Sequence, residues 1–480
     1  MHSIDPSPTS GPSNFRFWWQ ELNSYHWFVL IIAALGWLFD TMDQQIFVLA
    51  KTPALMQLLD IKDLKIAENN AKIDEYGKYA TAIFMIGWAI GGLLFGVIGD
   101  RWGRAKTIMA TVLIYSLFTG LSALSHSWLE FAFYRFITGM GVGGEFAAGV
   151  SLVAEVMPSA ARPYALGLLQ ALSAVGNMTA AIIGLVVHPR ETIHLFNQDF
   201  DGWRLMFCVG TIPALLVLLV MRKLKEPQTW IDAKKRAAEG GQDSAKLGSI
   251  SELFRHPTYR FNTIIGFALA SIGVLLLWGV GFWLPELLAN NILKEYPAKE
   301  KDMYIGITQL LLNFGAFFGV YGFSLLAGRF GRRMAFALAY TFCFIGIFIV
   351  FGFMNHPSQI YWMVPLFGFC ILMPFGGFAV YFPELFPTRL RSTGVSICYN
   401  LARLATALLL FLGANLVALY SAPANSDRAL NNLSSFTWLS SIGGIDNPFR
   451  YACITIGAIF LISYVVLFFA PETKGKPLPE

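Results

Sequence analysis

Asp40, Asp43, Arg135, Glu145, Glu286 and Arg403 stand inside long stretches of otherwise apolar sequence. An ionisable group in hydrocarbon costs about 2.5–3.5 kcal/mol on insertion scales, so such groups usually face a cavity or a partner. Asp40, Asp43, Gln44 and Phe47 are three or four residues apart and read as one stripe of a helix. A carboxylate in a partly dry cavity is biased towards its neutral form, which suits proton pickup and release. The plainer reading is a permanent ion pair between an aspartate and Arg135 that only tethers two helices. Arg403 shares a helical face with Tyr399 and Asn400. Its guanidinium stays charged and offers a planar fork that fits a carboxylate. The alternatives are an internal counter-ion or a side chain whose head reaches the nearer surface. Arg403 lies twelve residues beyond Arg391, about 18 Å of helix rise, which makes that reach difficult.

Glu145 follows Gly139, Gly141, Gly143 and Gly144, a run that permits close helix packing, and reads as a polar packing residue more readily than as a coupling group. Glu286, after Pro285, reads as interfacial. Gln170 and Asn177 are seven residues apart, Gln309 and Asn313 four, so each pair shares a helical face. These amides are candidates for lining a polar cavity. Their plainer role is interhelical hydrogen bonding at about 0.6 kcal/mol per bond. No histidine lies in the middle of an apolar stretch, and the five cysteines show no paired spacing. No metal and no cofactor is therefore expected; the proton is the expected coupling ion.

The elements that must position these groups follow from composition. Of the 480 residues, 55% are hydrophobic and 14% charged, against roughly a quarter charged in an ordinary soluble chain. The apolar residues lie in blocks of the length, about 20 residues, that crosses a bilayer. Helix is the economical state for each, because lipid cannot satisfy free backbone amides. The blocks predict an all-α membrane protein of twelve spans, with a lipid bilayer as its surroundings. Residues 1–26 form a tail, 27–221 one six-helix half, 222–260 a central loop, 261–470 the second half and 471–480 a second tail. The net charge of +5 sits in short loops and so does not indicate a nucleic-acid partner. Arg101, Arg104 and Lys106, then Arg329, Arg332 and Arg333, bias one set of loops to the cytoplasm, which puts both termini inside. The run Lys234-Lys235-Arg236 in the central loop reads as part of a short amphipathic helix against anionic lipid.

The halves repeat each other. Gly99-Asp100-Arg101-Trp102-Gly103-Arg104 follows the second span, and Ala327-Gly328-Arg329-Phe330-Gly331-Arg332 follows the eighth. Glu155-x-x-Pro158-x-x-x-Arg162 matches Glu384-x-x-Pro387-x-x-x-Arg391 at the same interval to within one residue. A duplicated six-span unit keeps its topology, so the copies are parallel pseudo-repeats about an axis along the membrane normal. Asp100, Glu155 and Glu384, with Arg101, Arg104, Arg162, Arg332 and Arg391, then lie in one plane and read as a gate. Salt bridges between the halves would hold that mouth shut and break as the halves rock. Topology signals alone account for the arginines but not for the acids.

These motifs, with the closing Pro471-Glu472-Thr473-Lys474-Gly475, resemble the major facilitator superfamily over nearly the whole chain. Arg135-Phe-Ile-Thr-Gly-Met-Gly-Val-Gly143-Gly144-Glu145 is similar to the fourth span of its organic-acid and metabolite proton symporters. Glu384 to Gly394, with Tyr399, Asn400 and Arg403, is similar to the sialate and monocarboxylate branch. Asp40-x-x-Asp43 is similar to acidic pairs of the monocarboxylate and aromatic-acid branches. The resemblance implies alternating access around a mid-membrane site, with Arg135 tuning an acid of the first span. Gly328 departs from the pattern, standing where the first repeat has Asp100, which implies an asymmetric gate. The seventh span lacks the paired glutamines of hexose porters, while Gln170 resembles a sugar-porter position. The expected activity is proton-coupled symport of a small organic anion by a single chain, in the cell membrane. Asp40, Asp43 and Arg135 are the coupling candidates. Arg403, Tyr399, Asn400, Gln44, Gln170, Asn177, Gln309 and Asn313 are the substrate-binding candidates. A sugar or polyol symporter is the runner-up. A non-transporting nutrient receptor is the rival of another class, and an enzyme is not expected, because no nucleophile, base and metal set converges.

Overall fold

The computed structural model describes residues 17–61, 66–195, 198–221, 223–239, 246–421 and 448–480. The first half holds helices α1 (Ser24–Leu58), α2 (Ala67–Trp102), α3 (Arg104–Ala123), α4 (Trp128–Val156), α5 (Arg162–Val187) and α6 (Gly202–Met221). A hairpin of β1 (Thr192–Leu195) and β2 (Gln198–Asp201) joins the last two. Short helices α7 (Gln228–Glu239) and α8 (Ile250–Arg255) follow. The second half has α9 (Pro257–Gly279), extended by a 3-10 turn, the short α10 (Leu284–Leu287) and a π-helical turn. It continues with α11 (Ala298–Phe330), α12 (Arg332–Phe353), α13 (Ile360–Tyr381), α14 (Arg391–Ser421), α15 (Pro448–Gly457) and α16 (Phe460–Phe469). Among the described residues ten spans are long and apolar enough to cross a membrane. Helices α6 and α14 complete the expected twelve.

The repeat in the sequence reappears in the packing. Helix α2 packs chiefly on α4, and its counterpart α11 packs chiefly on α13. The halves meet along two matching seams, α5 on α11 and α2 on α14. At the second seam Gly92, Gly96 and Gly99 of α2 leave room for Asn400, Ser396 and Ser392 of α14, so two backbones approach closely in an antiparallel zipper. Outward, Leu129, Val186 and Phe468 are more than 70% exposed and belong to an apolar surface that a bilayer covers.

One glycine in each repeat turns the chain directly from one span into the next. Gly103, with φ of 124°, alone separates α2 from α3, and Gly331, with φ of 92°, alone separates α11 from α12. A side chain is strained at such angles, and glycine adopts them freely. The amides freed at the two helix starts are met by two carboxylates. Glu226 accepts from Ala105 N at 3.2 Å and Lys106 N at 3.1 Å. Glu472 accepts from Arg332 N at 3.0 Å and Arg333 N at 3.1 Å. A negative group at a helix N-terminus also meets the positive end of the helix dipole.

Candidate functional site

Both turns lie on one face of the bundle, where the repeated charges meet. Arg104 reaches Asp100 and Glu155, each at 3.0 Å, and Arg391 of the other half reaches Glu155 at 2.7 Å. All four side chains are fully buried. Asp100 also crosses the seam. Its carboxylate accepts from Ser392 N at 3.1 Å, Thr393 N at 2.9 Å and Thr393 Oγ1 at 2.6 Å, at the start of α14. Arg104 donates to the Thr388 carbonyl as well. Of the expected gate residues, Asp100, Arg104, Glu155 and Arg391 are thus joined in one buried cluster that ties the two halves together.

The remaining gate candidates fall elsewhere. Arg332 grips Glu384 with two bonds, Nε to Oε2 at 2.9 Å and Nη2 to Oε1 at 2.6 Å, within the second half. Arg162 donates from Nε to the Ala154 carbonyl at 2.8 Å, as Arg391 does to Pro383 at 3.0 Å. No ion pair within 4.0 Å involves Arg162 among the described residues, because Arg332 and Thr473 already occupy the Glu384 carboxylate. Arg101 is exposed and donates to the Leu247 carbonyl at 3.2 Å. Where the first repeat has Asp100, Gly328 makes room for Tyr164 of the opposite half. Trp18 stacks on Tyr164 and donates to Tyr321 at 3.1 Å, so at this face the α5–α11 seam is filled by rings instead of charges. Helix α7 sends Trp230 into this face, where its indole N–H donates to the Asp100 carbonyl at 2.7 Å.

In the middle of the bundle the expected stripe on α1 divides. Asp43 turns to α3 and α4. It pairs with Arg135 at 3.0 Å and accepts from Thr119 Oγ1 at 2.6 Å. The Arg135 guanidinium lies 4.8, 5.0 and 5.5 Å from the ring centres of Phe47, Phe84 and Phe207. Asp40 is fully buried; it accepts from Gln44 Nε2 at 3.2 Å, while its other oxygen has no partner among the described residues. The two aspartates, one residue type three positions apart, therefore occupy different environments.

Arg403 lies across the interface from Asp40. Its guanidinium is 3.7 Å from the ring centre of Trp88 on α2 and 4.0 Å from that of Tyr399. It is 8% exposed, and Nε and Nη1 have no acceptor among the described residues. Asp40 and Arg403 feel each other electrostatically without forming an ion pair within 4.0 Å. Asn400 donates to Ser396, and its side-chain oxygen has no partner among the described residues. Asn177 donates to Asn313 at 3.0 Å across the α5–α11 seam, and Asn313 donates to the Gln309 carbonyl at 2.9 Å. Gln170 is buried, and its side-chain oxygen has no partner among the described residues. A cavity of about 340 Å³, lined by Gln57, Asp60, Arg190 and Trp203 among others, opens elsewhere, beside the β-hairpin. It contains none of these groups.

Sequence reasoning missed Trp88, which places Arg403, and Thr119, which orients Asp43. Neither carries a signal in one sequence, since a tryptophan or threonine in an apolar helix is unremarked. Glu226 and Glu472 had a signal, an acid beside proline after the last span of each half.

Known membrane transporters are similar to this chain in sequence and in fold. A cis,cis-muconate transport protein of Acinetobacter baylyi is 29% identical over 71% of this chain and 78% of its own length. The sialic acid transporter NanX of Escherichia coli is 27% identical over 80% of this chain and 85% of its own. The solved proton:xylose symporter XylE bound to 6-bromo-6-deoxy-D-glucose superposes with a TM-score of 0.70 at 18% identity, over 95% of this chain and 98% of that one. The family model described as Major Facilitator Superfamily matches residues 33–410, from the first span into the eleventh, so the chain belongs to that superfamily of membrane transporters.

Proposed function

We propose that the protein is a proton-coupled symporter of a small organic anion, with Arg403 taking the substrate carboxylate and Asp40 the proton. One observation carries this reading: a buried guanidinium held between two rings, with donors left over, within the field of an unpaired buried carboxylate. A buried charge without a matched partner is costly, and an incoming carboxylate would relieve it. The same placement couples the two ligands. While Arg403 is unoccupied its charge favours ionised Asp40. A carboxylate on Arg403 cancels that field, so substrate binding favours protonation, and protonation in turn favours substrate by the same factor. Asp43 and Arg135 form the fixed pair beside this site, and Tyr399, Asn400 and Gln44 line it. That muconate and sialic acid transporters are similar to this chain supports an acid as cargo.

In this reading the charged-motif face is cytoplasmic, both termini lie inside and a single chain works in the cell membrane. In this reading the ion-pair cluster shuts that face, and the site is loaded from outside. A neutral sugar or polyol is the second reading, favoured by the Asn177–Asn313 bridge and the unpartnered Gln170 oxygen. Uptake into proteoliposomes of labelled organic acids and sugars, with and without a pH gradient, decides. Accumulation of an acid driven by external acidity is expected. Gradient-driven accumulation of sugars alone would reverse the choice, and binding without uptake would favour a receptor.

A further inference from the structure

Glu145 is not used by the reading above, yet it is the least satisfied charge-bearing side chain of the first half. It is 2% exposed, and both carboxyl oxygens lack a hydrogen-bond partner among the described residues. Its carboxyl lies against Gly36 of α1, so closely that a side chain at Gly36 would overlap it. Gly36 is one helical turn before Asp40 on the side of the charged-motif face. On α4, Glu145 is ten residues from Arg135 and ten from Glu155, about 15 Å of rise each way. It therefore sits midway between the fixed ion pair and the gate. The crevice beside it is lined by Ala33, Ile108, Phe146, Gly149 and Leu169 and has no space for a water.

The groups facing it decide its state. Helix α1 presents Asp40, an acid, and α3 presents the buried Tyr115, whose hydroxyl points to the Gly36 carbonyl at 3.4 Å. Beside it, α1 also contributes Trp37 and α5 contributes Leu169. Across the interface, Tyr399 of α14 packs on Phe146 with ring centres 4.5 Å apart. The ionisable neighbour is thus another carboxyl; Arg403 acts on Asp40 and no cation acts on Glu145 among the described residues, and two carboxylates so placed in a dry site do not both ionise.

We propose that Glu145 is a second proton-carrying group of the transport cycle, held as a carboxylic acid while the motif face is closed and placed between Asp40 and the gate. The inference rests on the proton-symport reading. When the Arg104–Glu155–Arg391 cluster separates, water enters the crevice from the motif face and takes the carboxyl proton. The carboxylate left behind takes the next proton from Asp40, whose own negative charge then faces Arg403, so none remains beside Gly36.

The test compares wild type, Glu145→Gln and Glu145→Asp in proteoliposomes, using an organic acid that wild type transports. Three quantities are read: accumulation on a pH gradient, counterflow without one, and the infrared C=O stretch of protonated carboxyl groups in the purified protein at neutral pH. Glu145→Gln should lose gradient-driven accumulation, keep counterflow and lose a carboxylic-acid band present in wild type. Glu145→Asp, which still titrates, should recover part of the accumulation. Unchanged accumulation in Glu145→Gln, or an unchanged band, would overturn the assignment. If Glu145→Gln fails to insert, Glu145→Asp with no shift of the band overturns it equally. Absence of gradient-driven accumulation in wild type would reject proton symport itself, a different failure.

Discussion

The charged-motif face and the middle of the bundle hold the same residue types in opposite conditions. At the face, Asp100, Glu155, Arg104 and Arg391 neutralise one another across the seam, and backbone groups absorb most of the remaining hydrogen-bonding capacity. In the middle, Asp43 and Arg135 are paired, but Asp40, Glu145 and Arg403 have no ion-pair partner among the described residues. Desolvation is costly in both places, so the difference lies in what completes each group. A lock is completed by the protein in one state and broken in another. A binding group is completed by something that arrives and leaves. In the proposed function the paired charges serve conformational switching, and the unpaired ones handle cargo and protons.

The sharpest way to break this contrast is at the lock. Glu155→Gln leaves Arg104 and Arg391 buried without their shared carboxylate, and removing one partner of a buried pair costs about 3–5 kcal/mol. That cost falls on the closed state, so spin labels on the two halves at this face should move apart on average. Distances and thermal stability matching wild type would reduce the cluster to decoration.

The next comparison lies within one helical turn. Asp43→Asn should destabilise the protein by a similar several kcal/mol, because Arg135 keeps its burial and loses its anion. Asp40→Asn should leave melting nearly unchanged, keep counterflow and abolish accumulation on a pH gradient. Equal phenotypes in the two variants would merge what the structure separates.

Arg403 sharpens the contrast from the substrate side. Losing a buried charge-to-charge contact costs about 2 kcal/mol or more, so Arg403→Gln should weaken acid binding at least about tenfold. Arg403→Lys keeps the charge but loses both the planar fork and the stacked contact with Trp88, and should recover only part of it. Affinity measured beside thermal stability separates binding from folding. Unchanged affinity in Arg403→Gln would move the preference to a neutral substrate.

The smallest effect is expected at Glu472. Burial pushes its carboxyl up, but the amides of Arg332, Lys474, Arg333 and Thr473 outweigh it and hold the group below the usual carboxylate range. Glu472→Ala should cost about 1 kcal/mol, the usual worth of a helix cap. A depressed carboxylate contributes fully above its unfolded pKa and loses that contribution as pH falls through its folded one. The stability gap between wild type and Glu472→Ala should therefore shrink in acid, and a gap independent of pH would assign the effect to packing.

Much of this molecule is decided locally, and one sequence suffices for that. A stretch of about 20 apolar residues in a bilayer has helix as its economical state, so Phe and Leu content alone counts spans. Repetition of Gly103 and Gly331, and of Glu155 and Glu384, reports duplication directly, because copied sequence folds into copied structure. Helical spacing likewise placed Tyr399 beside Arg403 and Gln44 beside Asp40. What the sequence left open was always a question between helices. Which aspartate meets Arg135 depends on the rotation of α1 against α4. Whether Arg403 finds an acid or a ring depends on α2 arriving with Trp88. Whether Arg162 matches Arg391 depends on a threonine eighty-odd residues after Glu384 taking that carboxylate first. Spacing along one helix sets angles on that helix alone, and a charge in hydrocarbon is satisfied or left waiting only by what the neighbouring helices bring to it.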